Sequence, residues 1–257
     1  LFIGAKPLDI GIAFGNGFWT LIPFTLQMAF VVIGGYVVAS SKPATALIEK
    51  LASFPKNGKW AITLVAFVSM MASLLNWGLS LVFAGLLVKA LARRSDIRMD
   101  YRAAGAAAYL GLGAVWALGL SSSAAQLQAN KASLPPAIYS ITGVIPFTDT
   151  IFLWQSGVLL LSLIIASLFV AYFSAPTDAN AKTAGDCSVD VSLPKIEITS
   201  KENLRPGEYL ENSPALILFM CTLGALWIFN EFSTKSAITA ISSLNTYNFL
   251  FLMVGAL

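Results

Sequence analysis

Charged residues divide this chain into long apolar runs. Residues 10–41, 60–88, 103–130, 151–177, 212–230 and 236–257 contain no Asp, Glu, Lys or Arg. Each run approaches or exceeds the ~20 residues that an α-helix needs to cross a ~30 Å hydrocarbon core. The pattern predicts an all-α polytopic membrane protein, a transmembrane helix bundle. Spans are expected near 18–40, 103–120, 151–173 and 214–230, with a last segment turning back from about Asn245. The stretch before residue 18, holding Gly15-Asn16-Gly17, reads as a connecting loop. The middle of 41–59 reads as a short interfacial helix, and 121–150, with its single basic residue Lys131, as lying on the outer side.

The run 60–88 does not fit one straight span. About 29 residues in one helix would measure roughly 43 Å, well beyond the core. Two full spans with a turn would need ~40 residues or more. The sequence SLLNWGLSL at 73–81 places an amide and a glycine at the centre of the run, where a helix would break. Charge points the same way. The loops on either side, 41–59 and 89–102, hold Lys42, Lys50, Lys56, Lys59, Lys89, Arg93, Arg94, Arg98 and Arg102, out of 16 basic residues in the chain. A single crossing would put one of these basic loops outside, against the positive-inside tendency. A hairpin returns both to one side. We therefore expect a re-entrant hairpin at about 60–88, although two short full crossings would give the same charge pattern.

Composition agrees with the class. Hydrophobic residues make up 57% and charged residues 11% of the chain, against about 25% charged in an ordinary soluble domain. Mean hydropathy is +0.75. The net charge of +3 gathers in loops and describes membrane topology rather than a nucleic-acid surface, so the partner implied is the lipid bilayer and no nucleic acid. Histidine is absent, and no metal-ligand spacing, paired intramembrane carboxylates or phosphate loop is present. An enzyme is not expected, nor a bound cofactor. Residues 1–173 read as a first transmembrane half, 174–213 as a polar linker, and 214–257 as the start of a second half. The chain opens without Met and stops inside an apolar run, which reads as a fragment of a longer protein.

The candidate site is the break itself. Ser73, Asn76, Trp77, Gly78 and Ser80 would line a position near the midplane. There a broken helix offers N–H groups and a dipole end to an anion, and Asn or Ser adds donors that carry no permanent charge. Asn76 would cap the second half-helix. From the residues alone, helix packing with one polar contact explains the same pattern equally well. Ser121, Ser122 and Ser123 form a second candidate: either a helix break facing the hairpin or the start of an extramembrane loop. Gln27, Thr25, Asp149 and Glu231 read more readily as packing contacts or span ends.

Three blocks carry a resemblance: GNGFWTLIPFTLQMAFVV at 15–32, SLLNWGLSLVFAGLLVKALARR at 73–94 and GVIPFTDTIF at 143–152. Together they resemble the bacterial short-chain fatty acid transporter family, which includes acetoacetate and butyrate permeases. The resemblance covers nearly the whole chain in the same order. It implies a protein nearly twice this length, one half of a two-repeat fold of the wider ion-transporter superfamily, and a homodimer by analogy. It further implies a multi-pass carrier of short-chain monocarboxylates in the bacterial inner membrane, with the site at the hairpin tip. Uptake of an anion against an inside-negative potential needs a co-transported cation, H⁺ or Na⁺. The lack of His and of deep carboxylates favours Na⁺ held by carbonyl and hydroxyl oxygens. One departure, GAVWALGLSSS at 113–123, replaces a richer glycine run and bears on the substrate range. A dicarboxylate carrier and a non-transporting assembly subunit are the alternatives.

Overall fold

The computed structural model describes residues 4, 6–131, 133–177, 180–192, 207–208 and 213–256. The central part of the expected linker, 193–206 and 209–212, lies outside the described residues. Among the described residues all regular structure is helical, and five helical stretches are long and apolar enough to cross a membrane. The polytopic helix bundle expected from the runs is the architecture found.

Helix α1 spans Pro7–Ala39, with Pro7 at its first position and Asp9 in its first turn, both favourable at a helix start. The expected loop at Gly15-Asn16-Gly17 is instead helical and belongs to α1. Each glycine costs the helix about 1 kcal/mol relative to Ala. In apolar surroundings, a chain that leaves the helix forfeits backbone hydrogen bonds worth more than that. Helix α2, Lys42–Ala52, starts at the Ser41 cap and buries Ile48 and Ala52. It packs against the hairpin.

Helices α3 (Gly58–Leu75) and α4 (Trp77–Ala92) are joined by one residue, Asn76. At 18 and 16 residues, they measure roughly 27 and 24 Å. The base of the hairpin closes on one side of the molecule. Arg94 donates to the carbonyls of Ala52 and Pro55 at 2.7 and 2.9 Å, and Arg93 pairs with Glu49 at 2.7 Å. The core is built from small and branched residues of the two helices and their neighbours, including Val65, Ala66, Met70, Ala84, Leu87, Leu91 and Ala104.

The chain then runs back along the hairpin as α5 (Tyr101–Ala108), a π-turn at Gly111–Val115 and a 3-10 turn at Trp116–Leu118. A continuous helix was expected over 103–120. Ser69 explains the break: its hydroxyl donates to the Ala108 carbonyl at 2.5 Å and accepts the Gly111 N–H at 3.0 Å. A side chain inserted into the helical ladder in this way unwinds the turn it occupies. Two short helices follow, α6 (Ser123–Ala129) and α7 (Pro136–Thr142), before α8 (Trp154–Ser174). Helix α8 buries only Ala171 and leaves Val158, Leu161, Phe169 and Val170 exposed, as a lipid-facing helix does. Helix α9 (Pro214–Thr234) leads through α10 (Ala237–Ile241) to α11 (Leu244–Ala256), which lies along α1.

Asp100 holds the basic side together. Its side chain is 1% exposed and accepts from the Arg102 guanidinium at 2.8 Å and the backbone N–H groups of Ala103 and Lys182, each at 2.9 Å. Burial pushes its carboxyl up, but these three donors outweigh that and hold it at about 2. The depressed value means that the unfolded chain binds the proton more readily. The stabilisation is therefore present above the ordinary value of 3.8 and is lost as pH falls through about 2. Asp100→Asn should lower the unfolding free energy in detergent by about 2 kcal/mol at neutral pH, through lost charge-assisted hydrogen bonds. The gap between wild type and variant should narrow on acidification below pH 4.

Candidate functional site at the hairpin tip

At Asn76 the backbone is extended, with φ −151° and ψ 121°, so one residue both ends α3 and starts α4. Its side-chain Oδ1 accepts the Leu79 N–H at 2.9 Å, as an N-cap does. Its own N–H donates to the Ala72 carbonyl at 2.9 Å. The tip therefore carries both the carbonyl end of α3, which is partially negative, and the N–H end of α4, which is partially positive.

These ends are met from outside the hairpin. Leu120 donates its N–H to the Leu74 carbonyl at 2.8 Å, and Ser121 Oγ accepts the Trp77 N–H at 2.9 Å. Residues 119–122 thus lie directly over the tip. Gly119 is required there, because a Cβ would come within 2.6 Å of the Ser73 carbonyl oxygen. Ser121, one of the serines left between two readings, belongs to the helix break at the hairpin. Ser122 is buried and caps α6 through the Ala125 N–H. Ser123 is the first residue of α6 and only half-buried. The stretch 121–150, read from its charge as the outer side, thus begins with Ser121 bonded at the tip.

Ser73, Asn76, Ser80, Ser121 and Gln126 are each 0% exposed. Ser80 donates to the Ser69 carbonyl at 2.8 Å, tying the two arms together. The Trp77 ring is half-exposed, and its contribution to the tip is the backbone N–H. Ser73 Oγ, Asn76 Nδ2 and Gln126 Oε1 are buried without a hydrogen-bond partner. Unpaired buried polar atoms cost roughly 1–3 kcal/mol each.

Several contributors were not singled out from sequence. Ser69 shares one face of α3 with Ser73, four residues on, a spacing that was legible beforehand, and the turn at Asn76 brings Ser80 of α4 back to 3.2 Å from it. Gln126 donates to the Leu120 carbonyl at 2.7 Å and reaches the Ile241 carbonyl at 3.3 Å. Tyr247 of α11 donates its hydroxyl to the Leu75 carbonyl. No local sequence signal places these last two at the tip. Gln27 is a packing contact, bonded to Asn245 at 3.0 Å and, through its carbonyl, to Asn248 at 2.9 Å. Glu231 pairs with Lys235 at 2.5 Å and meets Thr246 at 3.5 Å.

The whole chain, residues 1–257, matches the family model described as short chain fatty acid transporter. The chain belongs to the short-chain fatty acid transporter family. Two relatives bear the name "Putative short-chain fatty acid transporter". That of Escherichia coli (strain K12) is 31% identical over 255 residues, covering 98% of this chain and 55% of its own length. That of Haemophilus influenzae (strain ATCC 51907 / DSM 11121 / KW20 / Rd) is 29% identical over 261 residues, covering 98% and 56%. The chain thus spans about half the length of the curated relatives it matches. No solved structure matches it. For this transporter family member, the tip combines two helix ends of opposite polarity with buried amide and hydroxyl groups that have no partner among the described residues.

Proposed function

We propose that the chain forms the N-terminal part of a secondary active carrier that moves short-chain monocarboxylates across the bacterial inner membrane by cation symport. The observation that carries this reading is the cluster of unpaired Ser73 Oγ and Asn76 Nδ2 at a helix break fully enclosed by protein. A small carboxylate would sit at the N-terminal end of α4, held by the Asn76 amide and serine hydroxyls without a permanent positive charge, so that it can leave again. A cation would sit at the carbonyl end of α3. Helix α3 is long enough to cross, whereas α4, at roughly 24 Å, is shorter than the ~30 Å core, and this supports a hairpin that turns back inside the bilayer. A two-repeat arrangement, with the second hairpin supplied by the rest of the protein, fits the share of the relatives that this chain covers.

The lack of Lys or Arg among the tip residues favours a monocarboxylate over a dicarboxylate, which asks for stronger counter-charge. Full burial of the tip is also what a non-transporting assembly subunit would have, and uptake separates the two. Full-length protein in proteoliposomes should accumulate labelled butyrate and acetoacetate when an inward Na⁺ gradient is imposed, and less when only an H⁺ gradient is present. Accumulation with H⁺ alone would reassign the coupling ion. Failure in both gradients would overturn the carrier reading.

A further inference from the structure

We propose that the basic side of the hairpin carries a specific site for an anionic phospholipid, separate from the tip. A polar cavity of about 340 Å³ opens at the start of α3, with Lys56, Lys59, Asp96, Arg98 and Thr177 in its wall. An apolar groove of about 350 Å³, lined by Phe54, Pro55, Trp60 and Leu64, adjoins it and shares Lys56 and Asn57. Phe54 and Trp60 are large apolar residues left 58% and 53% exposed. A charged pocket that continues into a greasy groove matches a lipid, whose phosphate and acyl chain are joined in one molecule.

Charge complementarity selects an anionic headgroup. Among the described residues of the wall, three cations face one acid, and that acid is already neutralised: Arg94 grips both oxygens of Asp96, at 3.0 and 2.5 Å. Lys59 stands over the Tyr172 ring at 5.7 Å, and Arg98 reaches the Ala181 carbonyl at 3.3 Å and Asp186 at 4.0 Å. Lys56 has no hydrogen bond or ion pair among the described residues. The depth is right as well. The Trp60 and Tyr172 rings meet at 5.2 Å, tilted by 57°, at this end of α3 and α8, as interfacial aromatics at the headgroup level do. Basic pockets between helices on the cytoplasmic side are where anionic headgroups bind.

The test uses full-length protein in neutral detergent, titrated with phosphatidylglycerol or with phosphatidylcholine of identical acyl chains, and bound lipid counted by native mass spectrometry. Wild type should retain phosphatidylglycerol at least about fivefold better than phosphatidylcholine. Lys56→Gln should weaken phosphatidylglycerol about fivefold and Lys56→Gln with Lys59→Gln about thirtyfold, as each cation near a lipid surface contributes a similar increment. Lys56→Gln removes a side chain with no hydrogen bond or ion pair among the described residues, and an unchanged unfolding midpoint in detergent separates its loss of lipid from misfolding. Lys131→Gln, away from the cavity, should change nothing. Equal retention of both lipids, or an unchanged preference in Lys56→Gln, would overturn the proposal. Displacement of the lipid by millimolar inorganic phosphate alone would overturn the lipid assignment in favour of a free-anion site.

Discussion

Asn76→Ala is expected to cut gradient-driven uptake of butyrate by at least about tenfold in proteoliposomes, at matched protein insertion. The side chain does two separable things. Its Oδ1 caps α4 through the Leu79 N–H, and its Nδ2 is buried with no partner. Loss of the cap costs about 1 kcal/mol of stability. Loss of a donor that binds substrate costs a further ~2 kcal/mol of binding, the middle of the usual range, which is roughly thirtyfold and exceeds the tenfold expected in uptake. Asn76→Ser separates the two effects, because serine caps a helix well but cannot supply the amide. Stability should return in Asn76→Ser while uptake stays low. Uptake that recovers together with stability would reduce Asn76 to a structural cap and leave the tip without a substrate role.

Gly35→Ala should be the most damaging single methyl group in α1. A Cβ at Gly35 would overlap the backbone nitrogen of Leu79, and one at the facing Gly78 would lie 2.8 Å from the Val31 carbonyl oxygen. The two helices cross backbone on backbone at the hairpin tip, so neither can yield by rotating a side chain. Overpacking of this kind costs about 1–3 kcal/mol or more. It should appear as a lowered unfolding midpoint in detergent and a reduced folded yield. Gly17→Ala in the same helix is the contrast. Nothing lies within 4 Å of a Cβ there, so the variant should be neutral or stabilised by up to about 1 kcal/mol, from helix propensity. Equal effects of the two substitutions would mean that the α1–α4 crossing is not as tight as the structure has it.

Both variants concern features that differ in how far they could be read from sequence. The break of this run into two packed helices was legible because its length and its central Asn–Trp–Gly each constrain the chain locally. The helical spans were legible for the same reason. The Gly15-Asn16-Gly17 loop was misread because glycine ends helices readily in water, whereas in apolar surroundings the backbone must keep its hydrogen bonds and stays helical.

What the sequence by itself determined is therefore the membrane class, the segmentation into apolar helices and the break at Asn76. All of these follow from short-range patterns of charge, polarity and length. Tertiary structure alone decided what meets the break. Ser69 unwinding the segment after α5, Ser121 on the Trp77 N–H, Gln126 reaching the Ile241 carbonyl and Tyr247 on the Leu75 carbonyl join residues 42 to 172 positions apart. The helix ends must find partners when they are buried away from water. The sequence declares that need at Asn76, and only the packing of distant segments determines which residues answer it.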